Sequence, residues 1–200
     1  LGLNIFIFDY RGYGLSSGQI SEQGSYQDGR AAVGWLQKRG WSTKQMIFFG
    51  RSLGAGIALQ LAVETPPAAL VLETPFTSIA EMGKTHYWLL YHMLGWLLEA
   101  EYDNLGKISR IRSPLLIIQG DQDSICPPEM AQALYTRAPE PRQLYMIPGA
   151  DHNDTLEVGG SRYWEAWKAF LEKSHTASPV VTKKQKRAAP DGGARFHTRR

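Results

Sequence analysis

The chain has 200 residues, of which 43% are hydrophobic and 11% aromatic, so it can fill the core of one domain. Its formal net charge of +3 arises at the C-terminal end, where the residues from His175 onward hold seven Lys and Arg against one acidic residue, while the rest holds 15 basic and 18 acidic residues. The basic balance therefore gives no evidence that the globular part binds nucleic acid, and a single cysteine, Cys126, excludes an internal disulfide.

Five short apolar runs, most of them ended by a glycine turn, predict β-strands. The runs are continuous rather than alternating, which is typical of strands that are buried on both faces in a parallel sheet. They lie at residues 3–10, 45–50, 68–76, 113–120 and 142–149.

Helical patterns lie between and after these strands, at about residues 25–39, 53–64, 128–137 and 161–173. The alternation of strand and helix indicates a doubly wound α/β fold with a mostly parallel sheet. We expect one globular domain over residues 1–174.

One segment, at about residues 77–108, interrupts this alternation with a stretch rich in Trp, Leu, Tyr and Met. Its run from Tyr87 to Leu98 is apolar on nearly all sides but too short to span a bilayer. Three interpretations stay open: an ordinary packed helix, a lid that lines an apolar substrate pocket, or a helix that docks on a membrane surface. The last has the least support, because the polar face expected of such a helix is thin.

The strongest motif is Gly50-Arg51-Ser52-Leu53-Gly54, a G-x-S-x-G sequence that also occurs by chance. Here it follows a predicted strand and opens a predicted helix, the context that a nucleophile elbow requires. We expect side chains at the two glycine positions to collide with neighbouring elements. Ser52 is the candidate nucleophile, and the main-chain N–H of Leu53 points to where an oxyanion would form.

The serine needs a base, and His152 is the best placed of the five histidines because it follows a strand in "IPGADHNDT". The others lie in the insertion or in and beside the tail: His86, His92, His175 and His197. The acid that orients the base should follow the preceding strand, where "IIQGDQDSICPP" offers Asp121 and Asp123. Serine, then acid, then histidine is the chain order expected of α/β hydrolases.

With these motifs the chain resembles the α/β-hydrolase superfamily, specifically its esterase, lysophospholipase and depalmitoylase-like serine hydrolases. "FDYRGYGLSSG" is similar to the turn after that family's fourth strand, and "GRSLGAGIA" to its elbow. "QGDQDSICPP" is similar to its H-G-x-x-D-x-x-V-P acid loop, with Gln119 in place of the usual His, and "PGADHNDT" to its histidine loop. Alignment on Gly120 implies that Asp123, rather than Asp121, is the acid of the triad.

The resemblance also implies a departure at the N-terminal end. In the family, three strands precede the one with which this chain begins, and the third ends in a loop that supplies a second oxyanion N–H. We therefore expect an N-terminally truncated fold with an exposed sheet edge, half an oxyanion hole, poor solubility and impaired activity.

Several other residues suggest roles that we discount. Asp9, Arg11 and Tyr13 in the first turn are expected to be structural, and Glu73 after the third predicted strand is a weaker alternative acid. Cys126 is expected to be a packed small hydrophobe, because Ser52 already occupies the place of the nucleophile. No metal-ligand spacing and no phosphate-binding G-x-x-x-x-G-K occurs, so we expect no cofactor and no metal.

The sequence and the resemblance together predict a serine hydrolase that cleaves carboxylic esters or thioesters of small molecules through an acyl-enzyme. Amide hydrolysis of the aminopeptidase type is an alternative, and a truncated, non-catalytic binding module is another. The tail over residues 175–200 is polar, rich in Pro, Gly and Ala, and predicted to be disordered. We expect no nucleic-acid partner, possible association with a membrane surface, and a cytoplasmic location, or a membrane-associated one if a preceding segment carries an anchor.

Overall fold

An apolar run forms a parallel strand when helices cover both of its faces, and four of the five predicted strands do so in the computed structural model. The structure describes residues 1–83 and 100–176. The strands pair in parallel in the order β1-β2-β3-β4. They are β1 (Ile47–Arg51), β2 (Ala69–Glu73), β3 (Leu115–Gly120) and β4 (Arg142–Ile147).

Helices cover both faces of this sheet, which confirms the doubly wound α/β fold. Leu72 and Ile117 pack with the helices of the first face, whereas Val71 and Ile118 pack against the C-terminal helix on the other. The alternation follows from the pleat, which points successive side chains to opposite faces. The helices are α1 (Glu22–Lys38), α2 (Leu53–Glu64), α3 (Asn104–Ile108), α4 (Pro128–Arg137) and α5 (Thr155–Thr176).

Two helices begin earlier than predicted. The hydroxyl of Ser21 accepts a hydrogen bond from the main-chain N–H of Gly24 at 3.0 Å and so caps the start of α1. The last helix, α5, starts at Thr155, six residues before the predicted start, and contains a kink at Gly160, where φ is 52°. That kink separates a first helical turn, next to the predicted histidine loop, from the part of α5 that packs on the sheet.

The prediction of a strand over residues 3–10 is wrong. No described strand runs beside this segment, so its main-chain groups have no ladder to join. The segment still alternates in burial: Phe6 stacks on Trp35 of α1 with ring centroids 5.0 Å apart, whereas Ile5 and Ile7 are exposed. An apolar run identifies strand-forming residues, but a strand also needs a neighbour, which the run itself cannot reveal.

The turn that follows this segment is fixed to α1 by Arg11, in line with its predicted structural role. Its main-chain N–H donates to Oδ2 of Asp28 at 2.9 Å, and its Nη2 donates to Oδ1 of the same residue at 2.8 Å. Burial acts to raise the pKa of Asp28, but the hydrogen bonds and charge of Arg11 outweigh it and hold that pKa below its usual range.

The insertion leaves and re-enters the domain at one place. The main-chain oxygen of Thr77 accepts hydrogen bonds from the N–H groups of Asn104 at 2.9 Å and Leu105 at 3.1 Å. The Nδ2 of Asn104 also donates to the main-chain oxygen of Phe76 at 2.9 Å. The predicted lid helix, from Tyr87 to Leu98, lies outside the described residues, as does the predicted tail from residue 177 onward. Every helix in the described ranges falls short of what a bilayer crossing needs in length or hydropathy.

Candidate active site

The strand β1 passes into α2 through a strained residue, Ser52. Its φ of 51° and ψ of −119° lie in a region that side chains disfavour. Its N–H donates to the main-chain oxygen of Glu73 at 2.9 Å, and its own main-chain oxygen accepts from Ala55 at 2.9 Å. These two bonds hold the turn to the end of β2 and to the first turn of α2.

The two glycines that flank Ser52 differ in what they permit. A Cβ on Gly50 would lie 2.1 Å from the main-chain oxygen of Gly54, so only glycine fits there. Among the described residues, a Cβ on Gly54 would come near only the hydroxyl of Tyr10, at 3.5 Å, an ordinary contact. The expected collision is therefore present at Gly50, and the expectation is wrong at Gly54.

Leu53 is the first residue of α2. The main-chain N–H groups of a first helical turn have no acceptor within their own helix, and the helix dipole adds positive potential at that end. The N–H of Leu53 belongs to this turn, and its role as an oxyanion donor stays a prediction.

Asp123 and His152 form a buried pair on the loops after β3 and β4. The Nδ1 of His152 lies 2.9 Å from Oδ2 and 3.1 Å from Oδ1 of Asp123. The side chain of Asp123 is fully buried and that of His152 is 7% exposed. A carboxylate at Nδ1 fixes the proton there and leaves Nε2 able to accept one, which is the tautomer that a general base needs.

Three further donors satisfy the carboxylate of Asp123. The main-chain N–H groups of Ile125 and Cys126 donate to Oδ1 at 2.9 and 2.7 Å, and the Nε2 of Gln119 donates to Oδ2 at 2.9 Å. These hydrogen bonds satisfy the buried carboxylate and hold it in one orientation.

Asp121, the other candidate acid, has a different partner. Its Oδ1 accepts from the N–H of Gly149 at 2.7 Å, and it forms no hydrogen bond or ion pair with His152. The two loops also meet at Gly120, where a Cβ would lie 2.3 Å from the main-chain oxygen of Ala150. Asp121 and Gly120 therefore join the acid loop to the histidine loop, and Asp123 faces the imidazole.

A second carboxylate, Asp151, shapes the backbone around His152. Its Oδ1 accepts from the N–H of Ser124 and the N–H of His152, both at 2.7 Å. These hydrogen bonds, that of Ser124 first, hold the pKa of Asp151 below its usual range. No motif pointed to Asp151, although it directly precedes the candidate base.

Ser52 and His152 are not hydrogen-bonded to each other, and within residues 1–83 and 100–176 nothing accepts or donates at Ser52 Oγ. Arg51 nevertheless brings their loops together. Its Nη2 donates to the main-chain oxygen of His152 at 2.8 Å and to Oδ1 of Asn153 at 2.9 Å. Because hydrogen bonds of a catalytic site often tighten only when substrate binds, this arrangement is compatible with serine activation.

Glu73, discounted in favour of Asp123, lies in a network of its own. Its Oε1 accepts from the hydroxyl of Thr155 and lies 3.9 Å from Nε of Arg51, while its Oε2 accepts from the hydroxyl of Tyr163 at 2.9 Å. Burial, followed by the Glu73 charge, raises the pKa of Tyr163, which keeps that hydroxyl protonated as a donor. Glu73 thus supports the elbow and α5 and has no hydrogen bond to His152.

Cys126 contacts the Asp123 carboxylate through its main-chain N–H. Cys126 is buried, and burial followed by the charge of Asp123 raises the pKa of its thiol. The side chains of the other four histidines lie outside the described set. A polar surface cavity of about 350 Å³ is lined by Glu22, Tyr26, Lys107 and neighbouring residues, and none of Ser52, Asp123 and His152 borders it.

A family model described as Hydrolase_4, serine aminopeptidase, S33, matches residues 1–106. An uncharacterized protein of Mycobacterium tuberculosis is 42% identical over 176 residues, which is 87% of this chain and 62% of that protein. The human alpha/beta hydrolase domain-containing protein 17B is 34% identical over 181 residues, 86% of this chain and 58% of its own length. The chain thus spans about three fifths of the length of these relatives.

Solved structures are similar in fold. An esterase of Pyrococcus furiosus superposes with a TM-score of 0.69 at 22% identity, covering 82% of this chain and 68% of that one. A puromycin hydrolase superposes with a TM-score of 0.61 at 18% identity, covering 76% of this chain and 25% of that one.

Proposed function

The chain belongs to the Hydrolase_4 (serine aminopeptidase, S33) family within the α/β hydrolases, and from this we propose that it is the catalytic part of a serine hydrolase for carboxylic esters or thioesters. The observation that carries the proposal is the buried pair between Asp123 and the Nδ1 of His152. The loop that carries His152 is hydrogen-bonded to Arg51, the residue before the strained Ser52. In the proposal, Ser52 is the nucleophile, His152 the base and Asp123 the orienting acid of an acyl-transfer site.

In the proposed reaction, His152 Nε2 takes the proton of the Ser52 hydroxyl as Oγ attacks the acyl carbonyl. The new C–O bond places a negative charge on the former carbonyl oxygen, to which the Leu53 N–H donates. His152 then returns the proton to the leaving alcohol or thiol. Water, deprotonated by the same histidine, attacks the acyl-enzyme, releases the acid and restores Ser52. The Asp123 carboxylate stabilises the imidazolium in both halves of the cycle.

We propose residues 1–174 as the catalytic core and residues 77–108 as a lid over the acyl group. Two observations support this. Thr77 and Asn104, which are hydrogen-bonded to each other, follow β2 and precede β3 in the sequence. The segment between them is rich in aromatic and aliphatic residues, which suits an apolar acyl or aryl substrate better than a highly charged one.

Amide hydrolysis of the aminopeptidase type remains the second candidate, because the description of the matched family names that activity. The same nucleophile, base and acid serve both reactions, so the leaving group distinguishes them. A panel of p-nitrophenyl esters, acyl thioesters and aminoacyl anilides separates the two. Cleavage of the anilides without any ester turnover would favour the peptidase.

The direct test is labelling with a fluorophosphonate, which reports a base-activated serine without a natural substrate. We expect the 200-residue chain to be labelled, and the label to be lost in Ser52→Ala and His152→Ala. Far-UV and near-UV circular dichroism show whether each variant is folded. A folded wild-type chain that takes no label, or a label that persists in Ser52→Ala, would contradict the proposal.

A further inference from the structure

We propose that Gln119 is a positioning residue that holds the Asp123 carboxylate against His152. This inference rests on the proposed function, because it assigns a role within the same site. Gln119 is the residue at which the acid loop departs from the sequence of the family that it resembles, where a histidine is usual.

Gln119 lies near the end of β3, at 0% exposure, and pairs in register with Met146 of β4. Its Nε2, which carries two hydrogens, lies within hydrogen-bond distance of three oxygens: Oδ2 of Asp123 at 2.9 Å, and the main-chain oxygens of Cys126 at 3.0 Å and Gly120 at 3.2 Å. One of the two hydrogens is therefore shared between two acceptors. The amide thus ties both ends of the acid loop to the carboxylate that the loop carries.

Gln119 donates to the same oxygen of Asp123 that lies nearest to the Nδ1 of His152. Oδ2 receives the hydrogen bond from Gln119 and also lies 2.9 Å from the Nδ1 of His152. Oδ1 is held separately by the N–H groups of Ile125 and Cys126. With both oxygens fixed, the carboxylate cannot turn away from the imidazole, and Gln119 is the side chain that fixes the oxygen nearest to it.

The orientation of the amide is determined by its surroundings. Were the amide turned over, its oxygen would face the three oxygens of Asp123, Cys126 and Gly120, with no hydrogen between them. This orientation leaves the amide oxygen unsatisfied: the Oε1 of Gln119 is buried with no hydrogen-bond partner among the described residues. A buried acceptor left unpaired is unfavourable, and an apolar residue at this position would avoid that cost.

If Gln119 only filled space, an apolar side chain would be expected at this buried position. The hydrogen bonds of its NH₂ group account for the presence of a polar one. The charged and titratable groups that face it are Asp123 and, through Asp123, His152, with the thiol of Cys126 beside them. Burial and the Asp123 charge raise the pKa of that thiol, so it stays neutral. Asp121 and Asp151 accept hydrogen bonds from Gly149 and Ser124 on the outer side of the loops.

Three variants separate the donor from the space that the side chain fills. Gln119→Leu removes the NH₂ group and keeps most of the volume. Gln119→Glu keeps the shape but donates to Asp123 only while its carboxyl is protonated, and burial beside a carboxylate favours that form until the pH rises. Gln143→Leu, on the neighbouring strand β4, is the matched control, because no hydrogen bond joins Gln143 to Asp123.

Two readouts are needed, one of which does not depend on catalysis. In ¹⁵N-labelled protein, the proton on the Nδ1 of His152, hydrogen-bonded to a carboxylate, gives a downfield resonance that His152→Ala identifies. We expect Gln119→Leu to weaken or shift it, Gln119→Glu to do so as the pH rises, and Gln143→Leu to leave it unchanged. Fluorophosphonate labelling should slow by about tenfold to a hundredfold in Gln119→Leu, the loss expected for a hydrogen bond to a charged group.

The outcomes are distinct. A resonance that responds to Gln119 in a chain whose Ser52 takes no label would support the positioning role and contradict the proposed function. Labelling of the wild type, with the resonance and the labelling rate of Gln119→Leu equal to those of Gln143→Leu, would overturn the positioning role alone. Absence of the resonance from the folded wild type would also overturn it. If Gln119→Leu does not fold, the pH response of Gln119→Glu decides, since a structural defect alone would not follow pH in this way.

Discussion

Arg51 donates from Nη2 to the main-chain oxygen of His152 at 2.8 Å, which connects the residue before the candidate nucleophile to the backbone of the candidate base. The two residues are 101 positions apart in the chain, on β1 and on the loop after β4. These strands form opposite edges of the sheet, so no strand pairing fixes their loops relative to each other. The guanidinium supplies that connection at the carboxyl ends of the strands.

We expect Arg51→Met to slow fluorophosphonate labelling by about tenfold or more, because a charge-assisted hydrogen bond to the histidine loop is lost. Arg51→Lys should recover little of the rate, since one ammonium cannot reproduce the planar fork that reaches both His152 and Asn153. The rate of labelling at fixed probe concentration is the measurement. Labelling of Arg51→Met at the wild-type rate would show that the loops are held by other contacts.

Asp123→Asn should reduce labelling far more than Asp121→Asn. An amide at position 123 disturbs the tautomer of His152, and in a serine protease the corresponding change costs about 10⁴ in kcat. Within the described part of the chain, Asp121 accepts only from Gly149 and has no hydrogen bond to the imidazole, so its replacement should affect the rate by a few-fold at most. Equal losses in the two variants would mean that the acid has been assigned wrongly.

Replacing each glycine of the elbow by alanine should change the free energy of unfolding in opposite directions. Gly50→Ala places a Cβ 2.1 Å from a main-chain oxygen and should destabilise the chain by about 3 kcal/mol or more, because backbone strain at an over-packed site has no side chain to relax it. Gly54→Ala lies in α2 beside only Tyr10 and should stabilise the helix by about 0.5–1 kcal/mol. Urea denaturation of both variants gives the comparison.

The backbone of Ser52 is strained, and a glycine at this position would not be. We expect Ser52→Gly to be more stable than Ser52→Ala by about 1 kcal/mol, because only glycine adopts a φ of 51° with a ψ of −119° without cost. Both variants lack the hydroxyl, so the difference in their free energy of unfolding isolates the backbone. If alanine is at least as stable as glycine at this position, the turn is not strained.

The free energy of unfolding should fall in acid, and protonation of Glu22 should account for part of the loss. Burial acts to raise its pKa, but hydrogen bonds from Tyr26 and from the N–H groups of Tyr102 and Glu101, with the charge of Lys107, outweigh it and lower the pKa below its ordinary 4.5. A depressed carboxyl pKa stabilises the folded state above pH 4.5, and that contribution is lost as the pH falls through the lowered value.

Denaturation at a series of pH values between 7 and 3 tests this. Glu22→Gln should be less stable than the wild type at pH 7, and the difference should narrow as the pH falls below 4.5. Parallel curves for the two proteins would exclude Glu22 as a source of the acid sensitivity.

The features of the fold that were predicted correctly are those that depend on residues close together in the sequence. The elbow was visible because a strand, Gly50, Ser52 and the start of α2 follow one another along the chain. Residues 3–10 were misjudged because strand formation depends on a neighbour elsewhere. The roles of Arg51 and Gln119 were missed for the same reason: each acts through side-chain hydrogen bonds to another part of the loop edge, and neither residue type carries a signature for that.

The hydrogen bonds from Asn104 and Leu105 to Thr77 make the stretch between them a closed detour from the sheet. Because the two ends of the insertion meet at Thr77, we expect a change in the sequence between them to leave the ends of β2 and β3 in place. A chain with this layout can exchange that stretch while two strands keep their places: β2, whose Glu73 accepts the main-chain hydrogen bond of Ser52, and β3, which precedes Asp123. Under the proposed function, the substrates accepted can then change through this one segment while the proposed catalytic residues stay the same.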